Sequence, residues 1–519
     1  MTTHDRTGGS SPSVGWVALV GAGPGDPELL TIRGRRYLEA ADVVIYDRLV
    51  DQRLLGHAPK GAELIDVGKK PGGPRDRQGE INAVLVERAR SGKRVVRLKG
   101  GDPFIFGRGG EEVAALAEAN IPFEVVPGIT SAIGAPTYAG IPLTHRGVAS
   151  SLTIVTGSES PEKEGGLVDW DLLAKSEGTL SLLMSWENLP AIAETLIDGG
   201  GDKNTPVAVV QWGTWSNQKT VVGPLADIAE RARREGLSNP VVVVVGEVVN
   251  QRATSRWFDN RPLFGKRVLV TRSRTQSADL VELLERAGAE PVEVPTIEIQ
   301  PVEDFSEVDA ELARLTEYDW VVFTSTNTVE QLFERLGTLG RDARQFHGSR
   351  VAAIGTATAG ALRERGIVAD LISRESVSQS LIDDLAEQGV AGQNILLPGA
   401  EVRPDRLRRG LEGLGTDVCE VTLYRTVAPS GAGERLAEAL ESGVDVVTFT
   451  SSSTVTNLVA LLEGDVAQLG NTSVACIGRV TAETARKAGL NVDILAEDST
   501  AGGLVNAIVG HYMAEGSRA

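Results

Sequence analysis

The densest run of chemically useful residues in this chain is Arg97-Leu98-Lys99-Gly100-Gly101-Asp102, followed a short loop later by Arg108. Paired glycines let a backbone come close to a ligand, and a neighbouring aspartate can accept hydrogen bonds from ribose hydroxyls or an amine. An earlier glycine loop, Gly21-Ala22-Gly23-Pro24-Gly25-Asp26, closes an apolar run. It is not a dinucleotide fingerprint. Asp26 stands where the third glycine should be, and Pro24 and Pro27 interrupt the turn that would open a helix onto a pyrophosphate. The loop is either a ligand-facing turn at a strand end or a tight connection only. Cations crowd the same region: Arg33, Arg35, Arg36, Arg48, Lys69, Lys70, Arg75, Arg77, Arg97, Lys99 and Arg108. They make either a solvated basic surface or a pocket for a small polyanion.

The second half carries hydroxyl groups instead. Val-Phe-Thr-Ser-Thr-Asn-Thr-Val at 322–329 is echoed by Thr-Phe-Thr-Ser-Ser-Ser-Thr-Val at 448–455, and Val-Ala-Ala-Ile-Gly-Thr at 351–356 by Val-Ala-Cys-Ile-Gly-Arg at 474–479. The nearly equal offsets mark an internal duplication of a strand followed by a hydroxyl or glycine loop. Thr324, Ser325, Asn327, Gly355, Thr356, Ser451, Ser452, Ser453 and Gly478 supply hydroxyl and backbone donors suited to carboxylates. Residues of this kind after a strand also cap the next helix, and the two roles can coexist because helix N-termini attract anions.

Apolar runs at 16–21, 43–46, 95–99, 123–126, 152–156, 180–184, 208–211 and 241–245 alternate with helical stretches such as 28–41, which predicts mainly parallel sheets with crossover helices. At 250–264 the text turns polar and irregular, and a fresh strand begins at Lys266. A chain of 519 residues exceeds one core, so two α/β modules joined end to end are expected. No stretch approaches the roughly 20 apolar residues of a membrane span. A net charge of −18 argues against nucleic acid as partner. Cys419 and Cys476 lack metal spacing and the five histidines are scattered, so no metal site or disulfide framework is expected. Residues 1–13 have no apolar h-region and read as a disordered tail, with the cytoplasm as the expected location.

Taken with residues 20–27, Val126-Pro127-Gly128-Ile129-Thr130-Ser131 and Gly140-Ile141-Pro142-Leu143-Thr144-His145-Arg146, the glycine-aspartate run closely resembles the tetrapyrrole methyltransferases, and within them uroporphyrinogen-III C-methyltransferase. The resemblance implies a tetrapyrrole methylase fold of two α/β subdomains over 14–250. It implies S-adenosyl-L-methionine as cofactor and S-adenosyl-L-homocysteine as its product, held around Pro24, Gly100, Gly101, Asp102, Ile105, Thr130, Ser131, Met184 and Gly213. Asp47 and Lys69 match the family's proton acceptor and donor. The chemistry makes sense of a base: a pyrrole carbon attacks the sulfonium methyl, and a proton must then leave. Arg48, Arg97 and Arg108, with Lys69, would pair with the substrate's acetate and propionate groups. Repulsion from the acidic chain is screened over about 8 Å at physiological salt. Pairing of two copies through this half is implied as well. The chain departs from the pattern at Pro74 and Arg75, where the family often has a histidine, and at Ser131, where alanine is common.

From Gly265 onward, the duplicated loops together with Leu396-Leu397-Pro398-Gly399-Ala400 and Glu420-Val421-Thr422-Leu423-Tyr424-Arg425 resemble uroporphyrinogen-III synthase over 265–510. The implied fold has two α/β lobes, with Lys266 to about Thr296 joining the segment after Thr426 and the middle forming the other lobe. Tyr424 matches the family's active-site tyrosine. The expectation is therefore a linker at 251–264, a tail at 511–519, and a bifunctional enzyme. Its second half would close hydroxymethylbilane to uroporphyrinogen III, and its first half would methylate that product twice to precorrin-2 on the sirohaem and cobalamin branch. The alternative is a methyltransferase fused to a non-catalytic, tetrapyrrole-sensing domain.

Overall fold

In the computed structural model, which describes residues 15–68, 77–163, 165–272, 274–375 and 377–516, the first apolar runs pair as a wholly parallel sheet. Strands β1 (Trp16–Gly21), β2 (Val43–Tyr46), β3 (Glu63–Asp66), β4 (Arg94–Lys99) and β5 (Phe123–Val126) lie in the order β3-β2-β4-β1-β5. β1 and β4 are buried on both faces, as a parallel sheet covered by crossover helices requires. Helix Ile32–Glu39 shows how tightly one is laid down. Thr31 caps it by accepting from the Gly34 N–H at 3.0 Å, and a side chain at Gly34 would meet Val20 at 2.8 Å. The chain leaves β1 toward one edge of the sheet and β4 toward the other. Their adjacent carboxyl ends are a topological switch point, where open α/β sheets hold ligands.

The second sheet contains β6 (Leu152–Thr156), β7 (Thr179–Leu183), β8 (Pro206–Gln211), β9 (Lys219–Pro224) and β10 (Val241–Val245), ordered β6-β7-β10-β8-β9. Only β6 and β7 run parallel; the other three pairs are antiparallel, unlike the expected alternation. The cause is local. The all-valine β10 inserts between β7 and β8, and β8 and β9 form a hairpin.

Residues 251–264, expected as a polar linker, are packed down. They open on helix Arg252–Ser255; Arg252 pairs with Asp259 and donates to the Ala139 carbonyl, Trp257 Nε1 donates to Thr137 O at 3.0 Å, and Trp257 and Phe258 both lie edge-on to Tyr138. The chain divides into compact units at Lys266/Arg267, with the short Leu284–Glu290 segment counted with the first.

The second unit begins with β11 (Arg267–Val270) and β12 (Glu290–Glu293). The chain then builds a separate sheet from β13 (Glu298–Pro301), β14 (Trp320–Phe323), β15 (Arg350–Ala353), β16 (Leu371–Ile372), β17 (Asn394–Ala400) and β18 (Asp417–Val427), ordered β13-β18-β17-β14-β15-β16. It returns through β19 (Val446–Phe449), β20 (Ser473–Cys476) and β21 (Ile494–Leu495) to complete the order β12-β11-β19-β20-β21. This is the out-and-back course expected for the two lobes. β11 and β19 are stitched by reciprocal buried hydroxyls, Thr271 Oγ1 to Thr448 O at 2.7 Å and Thr448 Oγ1 to Leu269 O at 2.9 Å. Helix Ala501–Gly516 continues through the start of the expected tail at 511–519. No helix among the described residues is long and apolar enough to cross a membrane.

Gly128 sits where the loops after β1, β4 and β5 meet, and a Cβ there would stand 2.2 Å from Gly101 O and 2.7 Å from Gly21 Cα. Backbone cannot yield as a side-chain tip can. Gly128→Ala should therefore cost about 1–3 kcal/mol, the usual price of overpacking, read as a lower denaturant midpoint for the first unit.

Candidate active site

Three loops converge at the switch point. Gly23 and Gly101 exchange backbone hydrogen bonds, N–H to O at 3.2 and 2.7 Å, and so lock the loop after β1 to the loop after β4. A Cβ on Gly21 would lie 2.5 Å from the Gly128 backbone, so the third loop is drawn in just as closely. Asp102 ties the arrangement: Oδ1 accepts from Phe104 N at 2.8 Å and Oδ2 from Gly128 N at 2.9 Å. Each oxygen keeps a lone pair, so the structural tie and a ligand contact are compatible. Thr130 caps helix Ser131–Tyr138 by accepting from Ala132 N, and Gly101 packs beside Thr130 and Ser131. Ile105 projects from the same loop among exposed apolar residues, with Phe104 and Phe106 on either side.

The second subdomain of this unit closes on the Pro24 loop. Thr214 Oγ1 accepts from Asp26 N at 3.0 Å, Trp215 Nε1 donates to Pro24 O at 3.3 Å, and Tyr138 OH donates to Asp26 Oδ2 at 2.7 Å. Burial, then the hydrogen bond to Asp26, raises the Tyr138 phenol well above its ordinary range, which keeps it a donor. Gly213 is needed for close approach, because a side chain there would meet Ala135 Cβ at 2.2 Å. Met184, half exposed, follows β7, and Leu183 before it packs in the same apolar cluster as Ala132 and Ala135. Met184, Trp212 and Thr214 hold φ of 54°, 49° and 77°, a left-handed region that non-glycine residues rarely occupy. Such strain gathers where surrounding structure overrides it, often beside ligands. Pro24, Gly100, Gly101, Asp102, Thr130, Ser131 and Gly213 are thus one neighbourhood. Asp26, Tyr138, Thr214 and Trp215 escaped sequence reasoning, since nothing in their spacing links residues so distant.

Asp47 directly follows β2, with about a third of its side chain exposed. Arg97 Nη2 donates to Asp47 Oδ1 at 2.5 Å. This corrects the expectation that Arg97 pairs with a substrate carboxylate: its side chain is 2% exposed, and its Nε donates to the fully buried Glu112 at 3.0 Å. Burial works against its charge, but Asp47 and Glu112 outweigh it and raise the guanidinium pKa. Lys99 reaches the same Glu112 oxygen at 2.9 Å; burial and then the adjacent Arg97 push its ammonium below the usual value. Glu112 was also missed, although charged residues at 97 and 99, on one face of a strand buried from Val95 onward, call for a buried counter-charge.

The remaining cations thin out. Arg108, in left-handed conformation (φ 58°) before helix Gly109–Glu118, pairs with Glu111 at 2.7 Å, and Arg33 pairs with Glu124 at 2.7 Å. Arg48 is exposed and makes no ion pair among the described residues. Lys69, with Lys70 and Arg75, lies outside the described residues, as does the 1–13 tail.

In the second unit the duplicated phrases become duplicated architecture. β14 and β15 are parallel neighbours, as are β19 and β20, and each strand feeds a helix N-terminus. Ser325 caps helix Thr326–Thr338 by accepting from Thr328 N, and Ser451 caps helix Ser452–Leu461 in a capping box with Thr454. Gly355 and Gly478 precede helices Thr356–Glu364 and Arg479–Lys487 in extended backbone. Capping thus occupies the Ser325 and Ser451 hydroxyls, while Ser452 bonds Thr484 at 2.8 Å and Ser453 bonds Ser451 at 2.9 Å. Thr356 stands exposed at its helix start, with Thr324 and Asn327 partly exposed beside Ser325. Tyr424 is only 5% exposed on β18, and its hydroxyl meets Ser325 Oγ at 3.3 Å. A cavity of about 600 Å³ lies against Gly478, Arg479, Thr481 and Ser499.

Two α/β units, each with its loops gathered at strand carboxyl ends, define the class. Residues 17–229 match the family model of tetrapyrrole (corrin/porphyrin) methylases, and residues 278–506 that of the uroporphyrinogen-III synthase HemD. The porphyrin biosynthesis protein HemD of Ruminiclostridium josui is 39% identical over 95% of this chain and 98% of its own length. The S-adenosyl-L-methionine-dependent uroporphyrinogen III methyltransferase of Methanosarcina barkeri is 51% identical over 46% of this chain and 94% of its own. A solved uroporphyrin-III C-methyl transferase from Thermus thermophilus, complexed with S-adenyl homocysteine, is 42% identical over 45% of this chain and 93% of that one, with a TM-score of 0.39. The chain belongs to the tetrapyrrole methylases through its first unit and to the uroporphyrinogen-III synthases through its second.

Thr214→Val keeps the shape of a buried, strained position but leaves Asp26 N–H without its acceptor. The expected cost is about 1–3 kcal/mol of stability, measured by denaturant unfolding.

Proposed function

We propose that the chain runs two consecutive steps of tetrapyrrole biosynthesis. Its second unit closes hydroxymethylbilane to uroporphyrinogen III with inversion of the last ring, and its first unit methylates that product twice from S-adenosyl-L-methionine, giving precorrin-2 for the sirohaem and cobalamin branch. One observation carries the reading: the two family matches fall one on each unit, in a chain similar over 95% of its length to a porphyrin biosynthesis protein, and one activity's product is the other's substrate.

The switch-point loops fit S-adenosyl-L-methionine. Gly100 leaves open space where a side chain would stand, its nearest neighbour being Leu49 Cβ at 3.8 Å, and Asp102 retains lone pairs for hydroxyl or amine donors. When bound, that molecule supplies an electrophilic sulfonium methyl. Methylation leaves the ring positively charged through its nitrogen, and Asp47, partly exposed just after β2, takes the proton whose loss from the macrocycle restores neutrality. Arg48 holds a substrate carboxylate. Lys69 keeps the proton-donor role that the family pattern gives it.

In the second unit, helix N-termini following β14, β15, β19 and β20 present backbone donors to acetate and propionate groups. Tyr424, tethered to Ser325, assists departure of the hydroxyl. The ring-closing chemistry is largely intrinsic, so the protein's task is to fold the linear substrate and suppress closure without inversion. Pairing of two copies through the methyltransferase unit and a cytoplasmic location complete the proposal. Sedimentation of the intact chain as a monomer would remove the first.

Incubating the whole chain with hydroxymethylbilane and S-adenosyl-L-methionine should yield a dimethylated type III product, followed by mass spectrometry. If preformed uroporphyrinogen III is methylated but never made, the second unit is a tetrapyrrole-sensing domain. Asp47→Asn should bind S-adenosyl-L-homocysteine like the parent while turnover falls about 10²–10⁴-fold, the usual range for loss of a general base. Arg48→Glu should raise the tetrapyrrole KM about tenfold or more, as loss of a charged hydrogen bond implies, and leave cofactor affinity unchanged.

A further inference from the structure

We propose that Arg97 and Glu112 are positioning residues for methyl transfer, forming a buried ionic scaffold that holds the carboxylate of Asp47 in place. The inference rests on the reading of Asp47 as the base and deepens it.

Four of the five N–H donors of Arg97 have partners in hydrogen-bond range. Nε donates to Glu112 Oε1 at 3.0 Å, Nη1 to the carbonyls of Leu98 at 3.2 Å and Ile45 at 3.4 Å, and Nη2 to Asp47 Oδ1 at 2.5 Å. Two of these partners are backbone atoms of strands β2 and β4, which cannot move independently of the sheet. The planar fork is therefore fixed before substrate arrives, and its free end is aimed at Asp47. Glu112 fixes the other end. It is fully buried, and the same Oε1 also accepts from Lys99 Nζ at 2.9 Å and Gln78 Nε2 at 3.2 Å. Among the described residues its Oε2 has no partner, and Arg97, Lys99 and Gln78 all meet this carboxylate at Oε1.

The charges balance: two cations, Arg97 and Lys99, against two carboxylates, Asp47 and Glu112. Arg97, Lys99 and Glu112 are sealed from solvent, and Asp47 alone reaches the surface. Oδ1 of Asp47 is committed to Arg97, which leaves Oδ2 for a proton. Removing the charge of Glu112 unbalances this set. Arg97 and Lys99 then compete for Asp47 and draw it inward, away from the reacting carbon.

A scaffold that acts through Asp47 is distinguished from one that merely supports the fold by a double-mutant cycle in the full-length chain. The measurements are single-turnover methyl transfer to preformed uroporphyrinogen III, its dependence on tetrapyrrole concentration, and calorimetric affinity for S-adenosyl-L-homocysteine. Glu112→Gln should slow methyl transfer by about tenfold or more with unchanged KM and cofactor-product affinity, and should have no further effect in the Asp47→Asn background. Arg97→Lys keeps the cation but cannot span both carboxylates, and it should show the same pattern if Glu112→Gln fails to fold. Equal slowing in both backgrounds, or slowing accompanied by lost cofactor-product affinity, overturns the positioning role while leaving Asp47 as the base. An Asp47→Asn variant that transfers methyl groups at the parental rate overturns both readings.

Discussion

The first unit depends on backbone approaching backbone. Where the loops after β1, β4 and β5 meet, Gly21 and Gly128 pack against each other and against the Gly101 carbonyl at distances that leave no room for a Cβ on either, and Gly23 and Gly101 complete a short bridge between two strand ends. Once that knot is tied, Asp102 can reach both its own loop and Gly128, and helix Ser131–Tyr138 starts at a defined point. The second subdomain then has a rigid surface to close on, through Asp26, Thr214, Tyr138 and Trp215. Side chains adjust in steps of rotamers, whereas this centre allows no adjustment at all, which suits a site that must hold two reactants in line.

Charge is handled by a different rule in the same unit. Surface cations such as Arg33 and Arg108 take neighbouring carboxylates in water, where such pairs contribute little. Arg97 and Lys99 lie inside the sheet, where an unpaired charge is prohibitive, so every partner is dictated. The basic stretch is therefore neither a uniform solvated face nor a uniform anion pocket. It sorts by the direction each side chain takes from its strand or loop.

Residue types with a single structural meaning were legible in the sequence. The glycine loops, the out-and-back lobes and the paired hydroxyl phrases all stand where their residues put them, because glycine, a helix cap and a repeated strand each permit few environments. Partnerships across long separations were not. Arg97 looked like a substrate-binding cation because its alternation with Lys99 says which face it takes but not that Glu112 waits there. Strand runs announced β10 without showing that it would insert antiparallel between β7 and β8. The polar letters of 251–264 concealed Trp257 and Phe258, which fasten that segment to Tyr138.

The split lobe of the second unit has a consequence for synthesis of the chain. β13 to β18 are contiguous in sequence and can close their sheet as soon as they emerge, but β11 must wait for β19, some 180 residues later by the Leu269–Thr448 bond. Until then the apolar β11 presents an unpaired edge on the side that β19 will take, the kind of surface that recruits other nascent chains. Closure over so long a loop slows the pairing of this lobe. A ribosome that stalls between β18 and β19 releases a protein whose methyltransferase unit is finished and whose second unit is a hazard.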